Sequence, residues 1–256
     1  MISQQQPYSF IDYPLFTKSL NELPSKSTLL VNTINQYSYC MANQDSAFKE
    51  SLKKSDVLLP DGIGVVAAAR WLTGRKIHKI AGADLHQHVL ANLNKKGGSC
   101  FYLGSTEATL QKIKDRLAIE YPNVKVETYS PPYKAHFSRE DNEEMIKAVN
   151  AFKPDILFVG MTAPKQEKWA CDHKHEIKTK MICTIGAVFD FYAGTIERPS
   201  EFMINMGLEW LGRLVKEPKR LWKRYLYFGP LFLQLIVKEK VKQLIAGQSY
   251  NNVVMP

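Results

Sequence analysis

Several short segments of this sequence place polar side chains directly after an apolar run, where a folded chain can use them for chemistry. The most informative segment, Pro154–Trp169, has the apolar run Ile156–Val159 followed by Lys165, Gln166 and Glu167. The run predicts a strand buried on both faces, and the three polar residues then fall at the N-terminus of the next helix. The free N–H groups and positive dipole end of a helix N-terminus favour an anion, and the lysine adds a cation. This segment is therefore predicted to bind an anionic ligand such as a phosphate.

Asp61 is the acid best suited to proton transfer. It follows a second apolar run, so it would lie at the carboxyl end of a strand, where open α/β sheets bind ligands. An ionised carboxylate at that edge can accept a proton from a substrate hydroxyl. Capping of the helix predicted to begin at Ile63 is an equally good interpretation, and the two roles are compatible.

Two further strand ends carry polar groups. Thr33 and Asn35 offer a hydroxyl and an amide to a ligand, or simply close a turn before the next helix. Gly104, followed by Ser105 and Thr106, could hold a phosphate on backbone N–H groups, although helix capping is the simpler interpretation of this segment alone. Four polar strand ends in one sheet would converge on one rim, which favours a single shared site.

Asp190 stands among Phe189, Phe191 and Tyr192, where a carboxylate without hydrogen bonds is costly. It would bind N–H groups of a ligand or satisfy nearby backbone, and the sequence leaves both interpretations open. The histidines and Cys171 give a weak metal pattern, because only Cys171 and His175 would share a helix face without an obvious third ligand. Solvated helix surface is the preferred interpretation of His86, His88 and His175, and no metal is expected.

Glycines shape the predicted rim. Gly160 is expected to turn the chain with a positive φ at the end of its strand. Gly62 and Gly64 follow Asp61, but neither G-x-G-x-x-G nor G-x-x-x-x-G-K-[ST] occurs anywhere in the chain. A standard dinucleotide site and a phosphate-binding P-loop are therefore both disfavoured.

The elements that would position these residues follow a regular order. Short apolar runs alternate with longer amphipathic ones, which is typical of βα units around a mostly parallel sheet. The predicted strands are Thr28–Asn32, Asp56–Leu59, Ser99–Leu103, Val124–Tyr129, Asp155–Gly160 and Met181–Ile185. The predicted helices are Tyr37–Lys53, Ile63–Thr73, Asp84–Lys95, Thr106–Tyr121, Arg139–Phe152 and Pro164–His175. The pattern predicts an α/β fold, a Rossmann-like, mostly parallel sheet flanked by helices.

The C-terminal part differs in pattern and in charge. The 256 residues carry a formal net charge of +9, and residues 207–242 contribute nine Lys or Arg against three Glu, a net +6. Beyond Gly186 the pattern shows no strand, and cationic, Trp-bearing amphipathic segments predict three short helices that lie at a lipid interface. The uncharged run Tyr225–Val237 is shorter than the roughly 20 residues that span a bilayer. We therefore predict an α/β catalytic domain, residues 1–195, and a basic, helical, membrane-associating appendage, residues 196–256.

The cysteines and the N-terminus favour a cytoplasmic setting. Cys40, Cys100, Cys171 and Cys183 show no C-x-x-C spacing, and the chain does not open with a basic segment followed by an apolar one. The strong positive charge predicts an anionic partner, which would be a nucleic acid, a nucleotide or an acidic membrane surface.

An ordered series of motifs runs through most of the chain, from Thr33 to Arg224. It comprises Thr33-x-Asn35, Leu59-Pro60-Asp61-Gly62-x-Gly64, Gly82-Ala83-Asp84-Leu85, Leu103-Gly104, Pro154-Asp155-Ile156-Leu157-Phe158-Val159-Gly160, Pro164-Lys165-Gln166-Glu167-Lys168-Trp169, Gly186-Ala187-x-Phe189-Asp190-x-x-Ala193-Gly194, Gly207-Leu208-Glu209-Trp210 and Glu217-Pro218-x-Arg220-Leu221-Trp222-x-Arg224-Tyr225. This series resembles the WecG/TagA/CpsF family of bacterial glycosyltransferases. Met161-Thr162-Ala163 departs from the Leu-Gly-x that is usual before Pro-Lys-Gln-Glu.

The resemblance implies inverting transfer of a hexose derivative, foremost an N-acetylmannosamine-like sugar, from a UDP-sugar to a polyprenyl-diphosphate-linked sugar. The reaction would serve cell-surface polysaccharide or teichoic-acid-type synthesis at the inner face of the cell membrane, without a bound metal or other cofactor. Asp61 matches the family's proposed general base, and Thr33 and Gln166 match other active-site positions. The resemblance also implies basic tail residues that reach the donor diphosphate, namely Arg213, Arg220 and Arg224. The remaining residues expected to contact substrate are Asn35, Gly62, Asp84, Gly104, Gly160, Lys165, Glu167 and Asp190. Self-association is expected from the same resemblance.

Two other classes of protein fit parts of the sequence. A nucleic-acid-binding protein would use the basic tail as its electrostatic footprint, but Trp210 and Trp222 lie on apolar faces rather than as stacking platforms. A soluble nucleotide-sugar enzyme, such as an epimerase, is disfavoured by the missing glycine fingerprint. Nucleic acid is therefore not expected as a partner.

Overall fold

The computed structural model describes residues 8–25, 27–197 and 199–246. Its centre is an eight-stranded sheet in the order β1-β2-β4-β3-β8-β7-β5-β6. The strands are β1 Tyr8–Phe10, β2 Tyr13–Leu15, β3 Leu29–Ile34, β4 Val57–Pro60, β5 Ser99–Gly104, β6 Lys125–Tyr129, β7 Ile156–Gly160 and β8 Met181–Thr184. The seven strands from β2 to β6 in this order run parallel, and β1 pairs antiparallel with β2. The α/β fold and the six predicted strands are confirmed.

Helices follow most of the strands, as the pattern predicts. They are α1 Gln36–Gln44, α2 Ser46–Lys53, α3 Ile63–Thr73, α4 Gly82–Lys96, α5 Glu107–Glu120, α6 Arg139–Phe152, α7 Lys165–His173, α8 Gly186–Tyr192, α9 Glu201–Asn205, α10 Glu209–Lys216, α11 Pro218–Trp222 and α12 Phe228–Ala246, with a π-helical turn at Lys223–Tyr227. The single helix predicted over Tyr37–Lys53 is wrong. Asp45 ends α1 in an extended conformation, and its side chain caps α2 by accepting from the N–H of Phe48.

The hairpin β1–β2 lies before the first predicted strand. Each of its strands has three residues, too few for an apolar alternation to show in the sequence. Ile11 turns the chain between them with a φ of 56°. Leu15 then pairs with Leu58, so the hairpin extends the sheet beside β4.

The core lies on both faces of the sheet. Along β7, Ile156 and Phe158 pack into one hydrophobic cluster, whereas Leu157 and Val159 pack into another on the opposite face. The side chains of β7 are apolar on both faces, so the polar groups of this segment follow the end of the strand. The carboxyl edge of the sheet is where the chemistry-bearing residues of this chain meet.

The C-terminal part is helical, but its last helix is long and lies against the α/β part. α12 has 19 residues, and Phe228, Phe232 and Ile236 on it are buried together with Tyr39 and Cys40 of α1. The prediction of three short helices is therefore wrong in number and length. The division at residues 195 and 196 stays a prediction. Within the described ranges, no helix is both long and apolar enough to cross a membrane.

Candidate active site

Asp61 directly follows β4 at the carboxyl edge of the sheet. Its N–H donates to the carbonyl oxygen of Ile34 at 2.9 Å, which fixes it beside the end of β3. Gly62, with a φ of 122°, is the N-cap residue of α3, and no side chain caps that helix. The capping interpretation of Asp61 is therefore wrong. In the part of the chain that the structure describes, no other side chain is hydrogen-bonded to its half-buried carboxylate.

The surroundings of Asp61 come largely from the C-terminal helices. Burial raises the pKa of Asp61 and the Glu209 carboxylate raises it further, whereas the cations of Lys79, Arg224 and Arg213 act in the opposite direction. Lys79 and Glu209 form an ion pair of 2.7 Å, which joins the segment before α4 to the start of α10. Neither member of this pair is singled out by the sequence pattern; Glu209 occurs only within a quoted motif.

Thr33 and Asn35 lie at the neighbouring strand end. Thr33, in β3, is paired with Leu59 and is half-buried. Asn35 is the N-cap residue of α1: its Oδ1 accepts from the N–H of Ser38 at 3.1 Å, and its own N–H donates to the Ser38 hydroxyl at 2.7 Å. The turn-closing interpretation of Asn35 is thus confirmed. Its side-chain oxygen is already engaged in the cap.

Gln36 is a residue of this rim that the sequence pattern does not reveal. Its side chain lies over the glycines after Asp61, since a Cβ built on Gly64 would lie 2.3 Å from its Nε2 and one on Gly62 would lie 3.0 Å from its Oε1. The available signal is the Gly62-x-Gly64 spacing, because two glycines in a helix start leave room for a neighbouring side chain. Gln36 therefore packs one residue away from the candidate base.

Gly160 ends β7 without a positive φ, so the predicted role of this glycine is wrong. A Cβ at this position would lie 2.5 Å from the ring of Phe189, which shows that the glycine makes room for an aromatic side chain of α8. At the neighbouring strand end, Gly104 does have a positive φ, 117°, and a Cβ there would lie 2.3 Å from the carbonyl oxygen of Gly160. Thr106 then caps α5 through the N–H of Thr109 at 3.3 Å, which confirms the capping interpretation.

Gln166 and Glu167 are buried in the first turn of α7. Gln166 accepts a hydrogen bond from the N–H of Met161 at 3.2 Å and donates one from Nε2 to Oε1 of Glu167 at 2.8 Å. The second carboxylate oxygen of Glu167 has no hydrogen-bond partner among the described residues, although the residue is only 3% exposed. Burial raises the pKa of Glu167 to about 7, against the opposing effects of the Gln166 hydrogen bond and the Arg224 cation.

Lys165 begins α7 and reaches towards the loop after β6. Its Nζ donates to the carbonyl oxygen of Lys134 at 2.8 Å and lies 4.3 Å from the centre of the Phe137 ring. Burial lowers the pKa of Lys165. These contacts hold its ammonium group at the carboxyl edge of the sheet, and anion binding there stays a prediction.

The three tail arginines face α8 and α1. The Arg213 guanidinium lies 5.0 Å from the ring of Phe191, and that of Arg224 lies 5.0 Å from the ring of Tyr37. Arg220 approaches the Asp190 carboxylate at 3.9 Å, where burial raises the pKa of Asp190 and the Arg220 cation lowers it. Nε of Arg213 is buried without a partner in the described part of the chain. Arg213 and Arg224 therefore bring cations of the tail to the same rim as Asp61, whereas Arg220 lies between Asp190 and its ion-pair partner Glu217 at 2.7 Å.

The remaining predicted residues have structural contacts. Asp84 accepts from the N–H of Ala81 at 2.9 Å and borders a cavity of about 370 Å³ that Lys79 also lines. His86 is buried, 2.7 Å from the Tyr102 hydroxyl, so the prediction of solvated surface is wrong for this residue. Burial lowers the pKa of His86 to about 3. No group of three or more His, Cys, Asp or Glu residues within the described ranges could hold a metal ion.

The sequence that forms this rim is similar to a family of known proteins. Residues 8–245 match the model of the glycosyl transferase WecG/TagA/CpsF family. A protein of Bacillus subtilis (strain 168) named N-acetylglucosaminyldiphosphoundecaprenol N-acetyl-beta-D-mannosaminyltransferase is 31% identical over 235 residues, covering 92% of this chain and 88% of the relative. Proteins of the same name from Bacillus spizizenii and Staphylococcus aureus (strain MW2) are 29% and 28% identical, covering 78% and 85% of this chain and 75% and 83% of their own. This chain belongs to the glycosyl transferase WecG/TagA/CpsF family.

Proposed function

We propose that this protein is an inverting glycosyltransferase that moves an N-acetylmannosamine-like sugar from a UDP-sugar to a polyprenyl-diphosphate-linked sugar. The names of the relatives support the acceptor class and the transferred sugar, since they contain a diphosphoundecaprenol-linked N-acetylglucosamine and an N-acetylmannosaminyl group. The UDP donor is supported by the cationic rim, because a diphosphate leaving group needs positive charge around it.

In the proposed reaction, Asp61 is the general base. The acceptor hydroxyl oxygen attacks the anomeric carbon of the donor sugar as the bond between that carbon and the UDP oxygen breaks. Asp61 takes the hydroxyl proton, and the negative charge left on UDP is stabilised by Arg213 and Arg224. A single displacement from the opposite face inverts the anomeric centre. The raised pKa of Asp61 favours this role, because a base whose pKa lies nearer neutrality holds the proton better.

One observation carries the proposal: the tail surrounds the Asp61 carboxylate with charged groups. Glu209, Arg213 and Arg224 all act on its pKa, although they lie at least 148 positions away in the sequence. None of the three is hydrogen-bonded to Asp61 in the part of the chain that the structure describes, so its carboxylate stays available to a substrate hydroxyl. Asp61 and the tail arginines form a base and a set of cations on one rim, which is what transfer from a nucleotide diphosphate sugar requires.

The test is transfer from UDP-N-acetylmannosamine to a synthetic polyprenyl-diphosphate N-acetylglucosamine by the Asp61→Asn variant. Loss of the base should lower kcat by about a hundredfold or more, with little change in the melting temperature. Asp12→Asn is the matched control, because Asp12 is an exposed carboxylate whose ion-pair partners, Lys49 and Lys53, are not residues of the rim. Full activity of Asp61→Asn would show that the base is another group. A panel of UDP-sugars with the wild type would identify the donor.

The proposed location is the inner face of the cell membrane, with the tail in contact with lipid. Large apolar side chains of α10, the π-helical turn and α12 are exposed, including Val215, Leu226 and Leu233. Basic residues lie between them, an arrangement typical of helices that lie at an anionic interface. This location would bring the enzyme to an acceptor whose lipid stays in the bilayer.

A further inference from the structure

An apolar groove runs along the exposed side of α3. Ile63 and Trp71, eight residues apart, stand on the same side of this helix and are 47% and 50% exposed. Ala67 lies between them on that side, and Val66 and Ile77 complete the lining of a groove of about 580 Å³. That volume is within the range of about 300–1,000 Å³ common for small-molecule sites. The core does not account for these exposed side chains, because α3 packs inwards through other residues, such as Val65 and Ala69.

The rim of this groove is cationic. Arg70 and Lys76 line it, and neither forms an ion pair with another residue of the described ranges. No Asp or Glu occurs between Asp61 and Asp84, whereas this stretch contains four Lys or Arg and one His. An occupant of the groove would therefore combine an apolar chain with negative charge.

One end of the groove lies close to the candidate active site along the chain. Ile63, at one end, is two residues from Asp61, and a Cβ built on Gly207 would lie 3.5 Å from its Cγ1. The segment after α3 lines two spaces: Lys76 and Ile77 border the groove, whereas His78 and Lys79 border the cavity of about 370 Å³ that Asp84 also lines. The groove thus begins two residues from Asp61, and the segment that borders it runs on to Lys79, whose cation acts on the Asp61 carboxylate.

We infer that this groove binds the polyprenyl diphosphate of the acceptor. The first isoprene units lie on the apolar side of α3, and Arg70 and Lys76 hold the diphosphate. This inference rests on the proposed function and adds to it the place of the lipid. A flat bilayer surface fits less well, because the groove is concave, and the exposed apolar side chains of α10 and α12 already offer a surface for lipid. A second copy of this chain would have to place negative charge against the rim, and this protein is strongly basic.

The test compares two acceptors in detergent solution, one with a long polyprenyl chain and one with a short alkyl chain on the same sugar diphosphate. Ala67→Glu and Trp71→Ala should lower the ratio of kcat/KM for the long acceptor over the short one about tenfold. Arg70→Gln and Lys76→Gln should raise KM for both acceptors several-fold and leave this ratio unchanged, because both acceptors carry the diphosphate. All four positions are exposed, and melting temperatures will show that the variants fold.

Ile119→Glu on α5 is the matched control, since Ile119 is also an exposed apolar residue of a helix and borders neither space. It should keep the wild-type ratio. An unchanged ratio for Ala67→Glu and Trp71→Ala would overturn the inference. The inference would also fail if these two variants no longer bound anionic vesicles that contain no acceptor, because the groove would then be a membrane contact. A changed oligomeric state of the two variants would overturn it as well, because the groove would then be an interface between copies. A wild type inactive on both acceptors would instead refute the proposed function.

Discussion

Asp61 and Glu167 are two acids of this rim whose pKa values burial raises, and their contacts suit them to different roles. Asp61 is half-buried and surrounded by charged side chains, so a substrate hydroxyl can reach it. Glu167 is closed off from solvent, and one of its oxygens accepts from Gln166. These contacts agree with the proposal that Asp61 takes the proton, and they suit Glu167 to orienting the Gln166 amide.

The unfolding of Glu167→Gln should depend less steeply on pH than that of the wild type. The folded-state pKa of Glu167, about 7, lies above the ordinary value of 4.5. Its contribution to stability is therefore fully present below pH 4.5 and is lost as the pH rises through 7, by on the order of 3 kcal/mol. Urea unfolding at pH 5 and pH 8 measures this, and the variant should gain stability relative to the wild type at the higher pH. An equal difference between the two proteins at both pH values would contradict the raised pKa.

Gly104→Ala and Gly74→Ala separate backbone conformation from crowding. Both glycines have a positive φ, 117° and 72°, but only Gly104 has a neighbour, the carbonyl oxygen of Gly160, where a Cβ would go. Gly74→Ala should cost about 1 kcal/mol, and Gly104→Ala about 3 kcal/mol or more because strand β5 or β7 must move. Urea unfolding of the two variants gives the difference. Equal losses would show that the two strand ends are not in close contact.

At the scale of elements, α12 decides how the tail is attached. The polar and apolar residues of this helix predict an amphipathic surface segment. In the structure, however, apolar side chains lie both on its buried side and on its exposed side. Phe232 is packed against Tyr39 with ring centres 5.4 Å apart, whereas Leu233 faces solvent. When a helix is apolar on two sides, one side packs against the core and the other can bind a partner or a membrane.

Phe232→Ala and Leu233→Ala test this attachment with adjacent residues. Phe232 is 2% exposed, so its truncation leaves a cavity and should destabilise the protein by about 3–5 kcal/mol. Leu233 is 64% exposed, and its truncation should change stability by less than about 0.5 kcal/mol. Thermal and urea unfolding check both. A small effect of Phe232→Ala would show that α12 is a separate appendage, as the division at residue 195 assumes.

At the scale of the whole molecule, helix α10 contributes to two features. One is the surface formed by the exposed apolar side chains of the tail, and the other is the edge of the sheet that carries Asp61. Val215 of α10 is exposed, while Glu209 and Arg213 of the same helix act on Asp61. Contact of this helix with lipid would therefore place the candidate active site next to the membrane.

Binding to vesicles that contain anionic lipid should be weakened by Val215→Asp and by Leu226→Asp, each by about tenfold or more. A carboxylate in the interface loses the apolar contact and is repelled by the lipid charge. Sedimentation with vesicles measures the effect, and raised salt should weaken the wild type because the basic residues of the tail contribute. Ile119→Asp, on the exposed part of α5, should bind as the wild type does. Equal binding by all four proteins would place the membrane contact elsewhere.

The sequence by itself determined the α/β order of elements, the strand ends at Thr33 and Asp61, the helix start that carries Gln166, and the basic character of the tail. These features depend on local patterns, because apolar periodicity and strand-end chemistry act within a few residues. The tertiary structure decided which groups meet: the ion pair of Lys79 with Glu209, the side chain of Gln36 over the glycines after Asp61, and the place of α12 in the core. It also decided that Gly160 makes room for Phe189 instead of turning the chain. Such contacts join segments that lie far apart in the chain, so they depend on packing geometry that no local pattern contains.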